Sequence, residues 1–265
     1  MARLKLALYQ NDGAAGDKDA QLRALVRAAE RAAGAGADLV ITPELFMAGY
    51  NIGDRAHDLA EPCGGPFLKA VSGIARDRAT AILCGYAERD GDRLYNSAAL
   101  IDKQGRLQLN YRKLHASGAY EKATYALGDE IMTFAIKGVT VAPLICYDIE
   151  YPEAARAAVV KGADVLCVPT ALRAQYAHLA DSMIPTRAFE NGCFVAYVNH
   201  AGSEGDFAYC GLSRLVGPDG SIVSAEGAGE ELVIADADTD RIRAARAELP
   251  YLEDLRPELF SPPGR

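Results

Sequence analysis

Two stretches of this chain repeat one pattern, and the repeat limits the folds available to it. Gly36-Ala37-Asp38-Leu39-Val40-Ile41-Thr42-Pro43 and Gly162-Ala163-Asp164-Val165-Leu166-Cys167-Val168-Pro169 each follow an Ala-rich, helix-patterned segment. Each opens on a glycine that stops the helix and runs through apolar residues to a proline. Apolar runs of this length read as strands buried on both faces, which needs layers above and below. The half-chains are therefore expected to be related strand-helix-strand modules, with sheets packed face to face and helices outside. Ala-rich helices leading into buried strands also arise by chance, so topology is the test. With 265 residues, half of them hydrophobic, the chain has enough apolar material for one large α/β domain.

The remaining periodicity fits that plan. Strands are expected over residues 4–10, 37–44, 81–87, 97–101, 106–112, 132–136, 139–145, 165–170, 193–198, 211–216 and 232–235. Helices are expected over 67–77, 152–161, 179–192 and 240–248, and before Gly34 on a stripe of Leu22, Leu25, Val26 and Ala29. Residues 46–65 are rich in Gly, Pro, Asp and Asn and read as a loop covering a site. Residues 114–129 have no clean period and read as a loop with one helical turn. The tail over 250–265 carries four prolines. It is expected to be extended and docked on a neighbour, or disordered.

Charge and cysteine usage narrow the partners. A formal net charge of -8 argues against nucleic acid or an anionic membrane as the main partner and favours a small-molecule ligand. The six cysteines form no C-x-x-C pair, so neither a zinc ribbon nor a redox motif is supported. No apolar run is long enough for a signal peptide's core or a membrane span. The chain reads as a cytoplasmic protein with reduced thiols.

Chemistry concentrates at one corner. The apolar run 141–145 ends on Cys146, and Tyr147, Asp148, Glu150 and Glu153 crowd the same turn before Pro152 opens a helix. A lone cysteine is commonly core filler, but filler is not surrounded by polar groups in this way. Ligands of α/β sheets collect beyond strand ends, and a helix N-terminus lowers a thiol's pKa. Glu44 and Lys113 also fall at or just past strand ends. Singly each reads as a solvated charge; with Cys146 they supply a base, a cation for an oxyanion, and a nucleophile for a carbonyl or nitrile carbon.

Three segments carry a family likeness: Thr42-Pro43-Glu44-Leu45-Phe46, Tyr111-Arg112-Lys113-Leu114-His115 and Ile145-Cys146-Tyr147-Asp148-Ile149-Glu150-Tyr151-Pro152-Glu153. In this order they closely resemble the three signatures of the nitrilase superfamily of carbon–nitrogen hydrolases. The resemblance extends over nearly the whole chain. It implies an α/β four-layer αββα sandwich that associates through its helices as a homodimer or higher homo-oligomer, with residues 1–249 as the hydrolase domain. It also implies catalytic roles for Glu44 (general base and acid), Lys113 (oxyanion partner), Cys146 (nucleophile) and Glu121 (positioning of Lys113 and substrate), and no metal or cofactor. The backbone N–H of Tyr147 is implied as a second oxyanion donor. Tyr147, Glu150, Thr170, Tyr50 and His115 are the substrate-binding candidates.

The substrate reading follows from Glu150. Relatives acting on dicarboxylate ω-amides carry Arg near this position, whereas an acid here would repel a substrate carboxylate. A small neutral or amine-bearing carboxamide is therefore expected, cleaved through a cysteine thioester. A plain solvent-facing or helix-capping role for Glu150 stands beside this. The alternatives are a nitrilase, an N-carbamoyl amine amidohydrolase, or a catalytically silent dimeric interaction protein. A Cys-His-Asn arrangement using His200 and Asn199 is a further plan. Arg187 and Glu190 read as a structural ion pair, and His57 and His178 as surface residues.

Overall fold

In the computed structural model, which describes residues 2–259, the first half of the chain runs β1 (Arg3–Gln10), α1 (Lys18–Gly34), β2 (Leu39–Ile41), α2 (Arg55–Leu59), α3 (Pro66–Arg78), β3 (Ala81–Asp90), β4 (Arg93–Ile101), β5 (Leu107–Arg112) and α4 (Gly118–Thr124). The second half begins with β6 (Phe134–Ile136), β7 (Val139–Pro143), α5 (Pro152–Val160), β8 (Val165–Thr170), α6 (Ala177–Asn191) and β9 (Phe194–Asn199). It ends with β10 (Ser203–Glu204), β11 (Phe207–Ala208), β12 (Arg214–Val216), β13 (Ile222–Ser224), β14 (Glu231–Asp238) and α7 (Thr239–Glu248).

Two six-stranded sheets result, ordered β14-β1-β2-β3-β4-β5 and β13-β12-β9-β8-β7-β6. In the first, β1, β2 and β3 are parallel, with antiparallel β14 on one flank and the β4–β5 meander on the other. The second repeats the plan: β7, β8 and β9 are parallel, flanked by antiparallel β6 and the β12–β13 meander. The echoed segments, β2 and β8, are each the middle of three parallel strands. The kinship of the half-chains therefore holds at the level of topology.

Alternation along the strands sets the layers. Leu4, Leu6 and Leu8 of β1 and Leu39 and Ile41 of β2 join the core between the sheets, together with Val139, Val141 and Val165. The intervening Ala7, Tyr9 and Val40 join a second core with Leu25 and Ala28 of α1 and Phe67 and Val71 of α3. On the far side, Ala155 and Ala158 of α5 and Ile184 and Ala188 of α6 are buried with the second sheet. Each fully buried Leu contributes about 2 kcal/mol relative to exposure. The architecture is the expected four-layer αββα sandwich.

Several expectations need correction in detail. β2 stops at Ile41, because the proline at 43 has no N–H to give a ladder. Residues 46–65 contain the short helix α2. The strands β10, β11 and β13 were not expected, and the exposure of Ile222, Val223 and Ser224 explains why no burial pattern announces β13. Residues 250–259 fold into turns, and Tyr251 packs edge-on against Phe189 of α6 at a ring separation of 5.9 Å. That part of the tail docks on the chain's own helix, and its remainder, 260–265, lies outside the described residues.

Candidate active site

Three strand ends build the site. Beyond β2, Thr42 turns the chain by donating its N–H to the Leu83 carbonyl (3.0 Å) and accepting the Gly85 N–H on its hydroxyl (3.0 Å). The turn lies so close to β3 that a Cβ on Gly85 would sit 2.2 Å from the Pro43 carbonyl oxygen, so only glycine fits. Glu44 follows, fully buried, and Leu45 beyond it has φ of 50°, left-handed for a side chain that resists it. Lys113 leaves β5 with its N–H on the Asn96 carbonyl (2.8 Å) and its side chain buried. Cys146 opens a 3-10 turn, Cys146–Glu150, just past β7, at φ of 45°. Two left-handed non-glycine residues on one site store roughly 1–3 kcal/mol each, held by the surrounding packing.

Lys113 ties the carboxylates together. Its Nζ donates to Glu44 Oε1 (2.6 Å) and Glu121 Oε1 (2.8 Å). Asn96 Nδ2 also donates to Glu44 Oε1 (2.7 Å), whereas Glu44 Oε2 is buried without a partner. Glu121 lies on α4 and accepts from the Tyr50 hydroxyl (2.6 Å) and the Ser117 N–H (2.9 Å). The sequence-predicted Glu44, Lys113, Glu121 and Tyr50 thus form one connected cluster.

The electrostatics follow from burial. Desolvation pushes the Glu44 carboxyl up to about 7 against the pull of Lys113. Burial pulls the Lys113 ammonium down, yet Glu44 and Glu121 together hold its pKa above the usual lysine range. Burial and then the nearby Glu44 charge raise the Cys146 thiol well above its ordinary value, opposed by Lys113 and an Ala171 N–H. The expected lowering by a helix N-terminus is therefore overturned: the sulfur is buried at a five-residue 3-10 turn, and its resting form is the thiol.

Cys146 also lines a cavity of about 500 Å³, with Tyr50, Tyr147, Glu150, Ala171, Arg173 and Phe207 among its walls. Glu150 is the acidic residue among those lining it, and burial raises its carboxyl above the usual range, opposed by Lys113 and Arg187. The Arg173 guanidinium sits 4.5 Å from the Phe207 ring centroid. Two substrate-binding candidates lie elsewhere. Thr170 is fully buried behind the wall, with its hydroxyl on the Val168 carbonyl, and its neighbour Ala171 faces the cavity instead. His115 stacks on Tyr151 (4.1 Å) and pairs through Nδ1 with Asp148 (2.9 Å), outside the cavity lining. The Cys-His-Asn arrangement is not formed: His200 Nε2 meets the Glu44 carbonyl at 2.6 Å, and Asn199 bonds the Leu172 and Gly211 backbone. Arg187 pairs with Glu190 (3.1 Å) as expected, and also donates to the Ile149 and Glu150 carbonyls, which pins the corner.

Sequence reasoning missed Asp148. It is fully buried and accepts from the Tyr111 hydroxyl (2.7 Å), the His115 N–H (2.9 Å) and the Ile145 N–H (3.1 Å). One carboxylate so fastens the Lys113 loop of the first sheet to the Cys146 corner of the second. Its only sequence signal was its place in the polar crowd after Cys146.

Paired sheets enclosed by helices, with a carboxylate, an ammonium and a thiol brought together beyond their strand ends, is the architecture of the nitrilase superfamily. Residues 5–247 match the family model described as carbon-nitrogen hydrolase, and the chain belongs to that family. It is 34% identical to an (R)-stereoselective amidase of a Pseudomonas species, covering 96% of this chain and 92% of the other. A protein of Pseudomonas protegens named for its place, "Hydrolase in pqqF 5'region", is 41% identical over 97% of this chain and 90% of its own. Among solved structures, a mutant of the amidase from Nesterenkonia sp. AN1 superposes with a TM-score of 0.88 at 31% identity, covering 98% of this chain and 96% of that one. That mutant carries the acetamide moiety of fluoroacetamide added covalently at its active-site cysteine.

Proposed function

We propose that the protein is an amidase that hydrolyses a small neutral or amine-bearing carboxamide to the acid and ammonia through a thioester on Cys146. The observation that carries this is the Lys113 ammonium held between Glu44 and Glu121 at 2.6 and 2.8 Å, beside a thiol that lines a cavity. The relatives named as amidases support it. Glu44, ionised above a pKa near 7 and with Oε2 unpartnered, takes the Cys146 proton as sulfur bonds to the amide carbon. Lys113 and the Tyr147 N–H receive the oxyanion; one such donor is worth about 3 kcal/mol of barrier. Glu44 then gives its proton to the departing nitrogen, ammonia leaves, and the C–S thioester remains. A water attacks that carbon while Glu44 takes its proton; the C–S bond breaks, the acid departs, and the proton returns to sulfur.

Substrate preference rests on Glu150. Its half-buried carboxylate lines the cavity, and Arg187 engages the residue's backbone carbonyl rather than its acid group. Beside Glu150 a substrate carboxylate would meet repulsion and an ammonium attraction, while the Arg173 guanidinium elsewhere in the wall acts in the opposite sense. The test is ammonia release from butyramide, a primary-amine-bearing amide and a nitrile, with intact-mass detection of an acyl adduct. Turnover of amides is expected, with a transient adduct that C146A lacks. A C146A protein that still turns over, or hydrolysis confined to the nitrile, would refute the reading.

A further inference from the structure

Among the buried titratable side chains that the reaction as proposed leaves unused, one touches the residue assigned as its base. His200 follows β9, is buried, and brings Nε2 to 2.6 Å from the main-chain carbonyl of Glu44. No other donor among the described residues reaches that carbonyl. The Asn11 carbonyl also faces the ring, and it accepts the Ala201 N–H at 2.9 Å as well. The 2.6 Å approach to a carbonyl that no other donor reaches assigns the ring's proton to Nε2. Tyr209 packs against the imidazole at a centroid distance of 5.1 Å and is itself fixed by its hydroxyl on Glu204 Oε2 (2.8 Å). Glu204 in turn accepts the Tyr50 and Asn51 N–H groups, both at 2.8 Å.

The peptide that His200 grips is the one preceding Leu45, whose φ of 50° is the strained step of the turn. An isolated chain would relax that step by rotating the Glu44–Leu45 peptide, and the carboxylate would swing with it. Besides the Lys113 and Asn96 bonds that hold Oε1 directly, three contacts on the main chain oppose the rotation: the crowding of Gly85 against the turn, the Glu44 N–H toward the Thr170 carbonyl (3.4 Å), and the His200 bond. Of these the His200 bond is the shortest and the only one to the rotating carbonyl. Without it, a buried carbonyl would be left unpaired at a cost of roughly 1–3 kcal/mol, which turning toward another donor would relieve.

We propose that His200 is a positioning residue for Glu44, acting through the Glu44 carbonyl to hold the carboxylate's unpartnered oxygen toward the Cys146 thiol. This rests on the assignment of Glu44 as the base, and the experiment separates the two. Gln places a donor nitrogen where His200 has Nε2, whereas Leu fills similar space without one. With butyramide as probe, H200L is expected to lose about a hundredfold in kcat, the scale of a displacement of about 1 Å at a reacting group. KM should change little, and H200Q should recover most of the loss. In an E44Q background H200L should cost nothing further, because the group it positions is gone.

Full activity in H200L, an H200Q loss equal to that of H200L, or an undiminished H200L loss in the E44Q background would overturn the positioning role. An E44Q enzyme as active as the parent would instead overturn the base assignment beneath it. If H200L does not fold, nitrogen NMR of the four histidine rings in the unaltered protein decides the point. A proton on His200 Nε2 at neutral pH supports the proposal, and a bare Nε2 refutes it.

Discussion

Replacing Glu44 with Gln should cut turnover by about a thousandfold, leaving a measurable residue, and yet make the folded protein more stable at alkaline pH. The acid's pKa rises from 4.5 to about 7 on folding, and at about 1.36 kcal/mol per unit this is a folding penalty of about 3 kcal/mol for the ionised form. The sign follows from proton binding. Between the two pKa values the folded chain holds a proton that the unfolded chain has released, so stability falls as pH rises through this window. Gln has no such proton. Its amide oxygen can keep the bonds from Asn96 and Lys113, while any cost of its amide nitrogen is the same at every pH. The reading is therefore the difference in stability between E44Q and the parent, taken at pH 5.5 and at pH 8, both above the isoelectric point near 5.1. Between those pH values the advantage of E44Q should grow by about 2 kcal/mol, measured from urea midpoints, or by several degrees in Tm. A difference that does not change with pH, or that shrinks toward pH 8, would refute the claim that burial dominates the Glu44 carboxyl.

Three further outcomes follow from the geometry. The acid limb of kcat/KM should fall as pH drops below about 7, where Glu44 takes up its proton, and a limb centred near 4.5 would contradict its role as base. G85A should cut kcat/KM by about a hundredfold in a protein that still folds, since a methyl 2.2 Å from the Pro43 oxygen must displace the turn carrying Glu44; steady-state rates on purified protein check this. D148A should lower stability by at least about 3 kcal/mol in urea titrations, because the Tyr111 hydroxyl and the His115 and Ile145 N–H groups lose their acceptor together.

Much of the fold was legible because its signals are local. The apolar runs at 39–41 and 165–170 and the glycines ahead of them mark the paired middle strands, and the three polar segments at the ends of β2, β5 and β7 mark the cluster. What stayed hidden depends on meetings between distant segments. Nothing near Asn96 foretells its bond to Glu44, and nothing near Gly85 foretells the turn lying against it. His200 resembled a catalytic histidine because a sequence shows that a residue is titratable but not that its ring faces a carbonyl. Thr170 and His115 sit within a residue or two of cavity-lining or clustered groups, a distance at which strand alternation and turn geometry, rather than position in the chain, decide which way a side chain points. The thiol's expected activation failed for a related reason: a helix terminus acts on a group it faces, and here the sulfur is buried among other charges.

Glu44 and Lys113 ride on one sheet and Cys146 on the other, with Asp148 fastened across the seam. The reaction centre is thus assembled by stacking, and it registers any slippage between the two layers. A slide of one residue along a strand, about 3.3 Å, would part sulfur from carboxylate while leaving each sheet's own ladder whole. Loosening the apolar seam, for instance by trimming Leu8 or Ile41, should therefore silence the chemistry at temperatures where both ladders still stand.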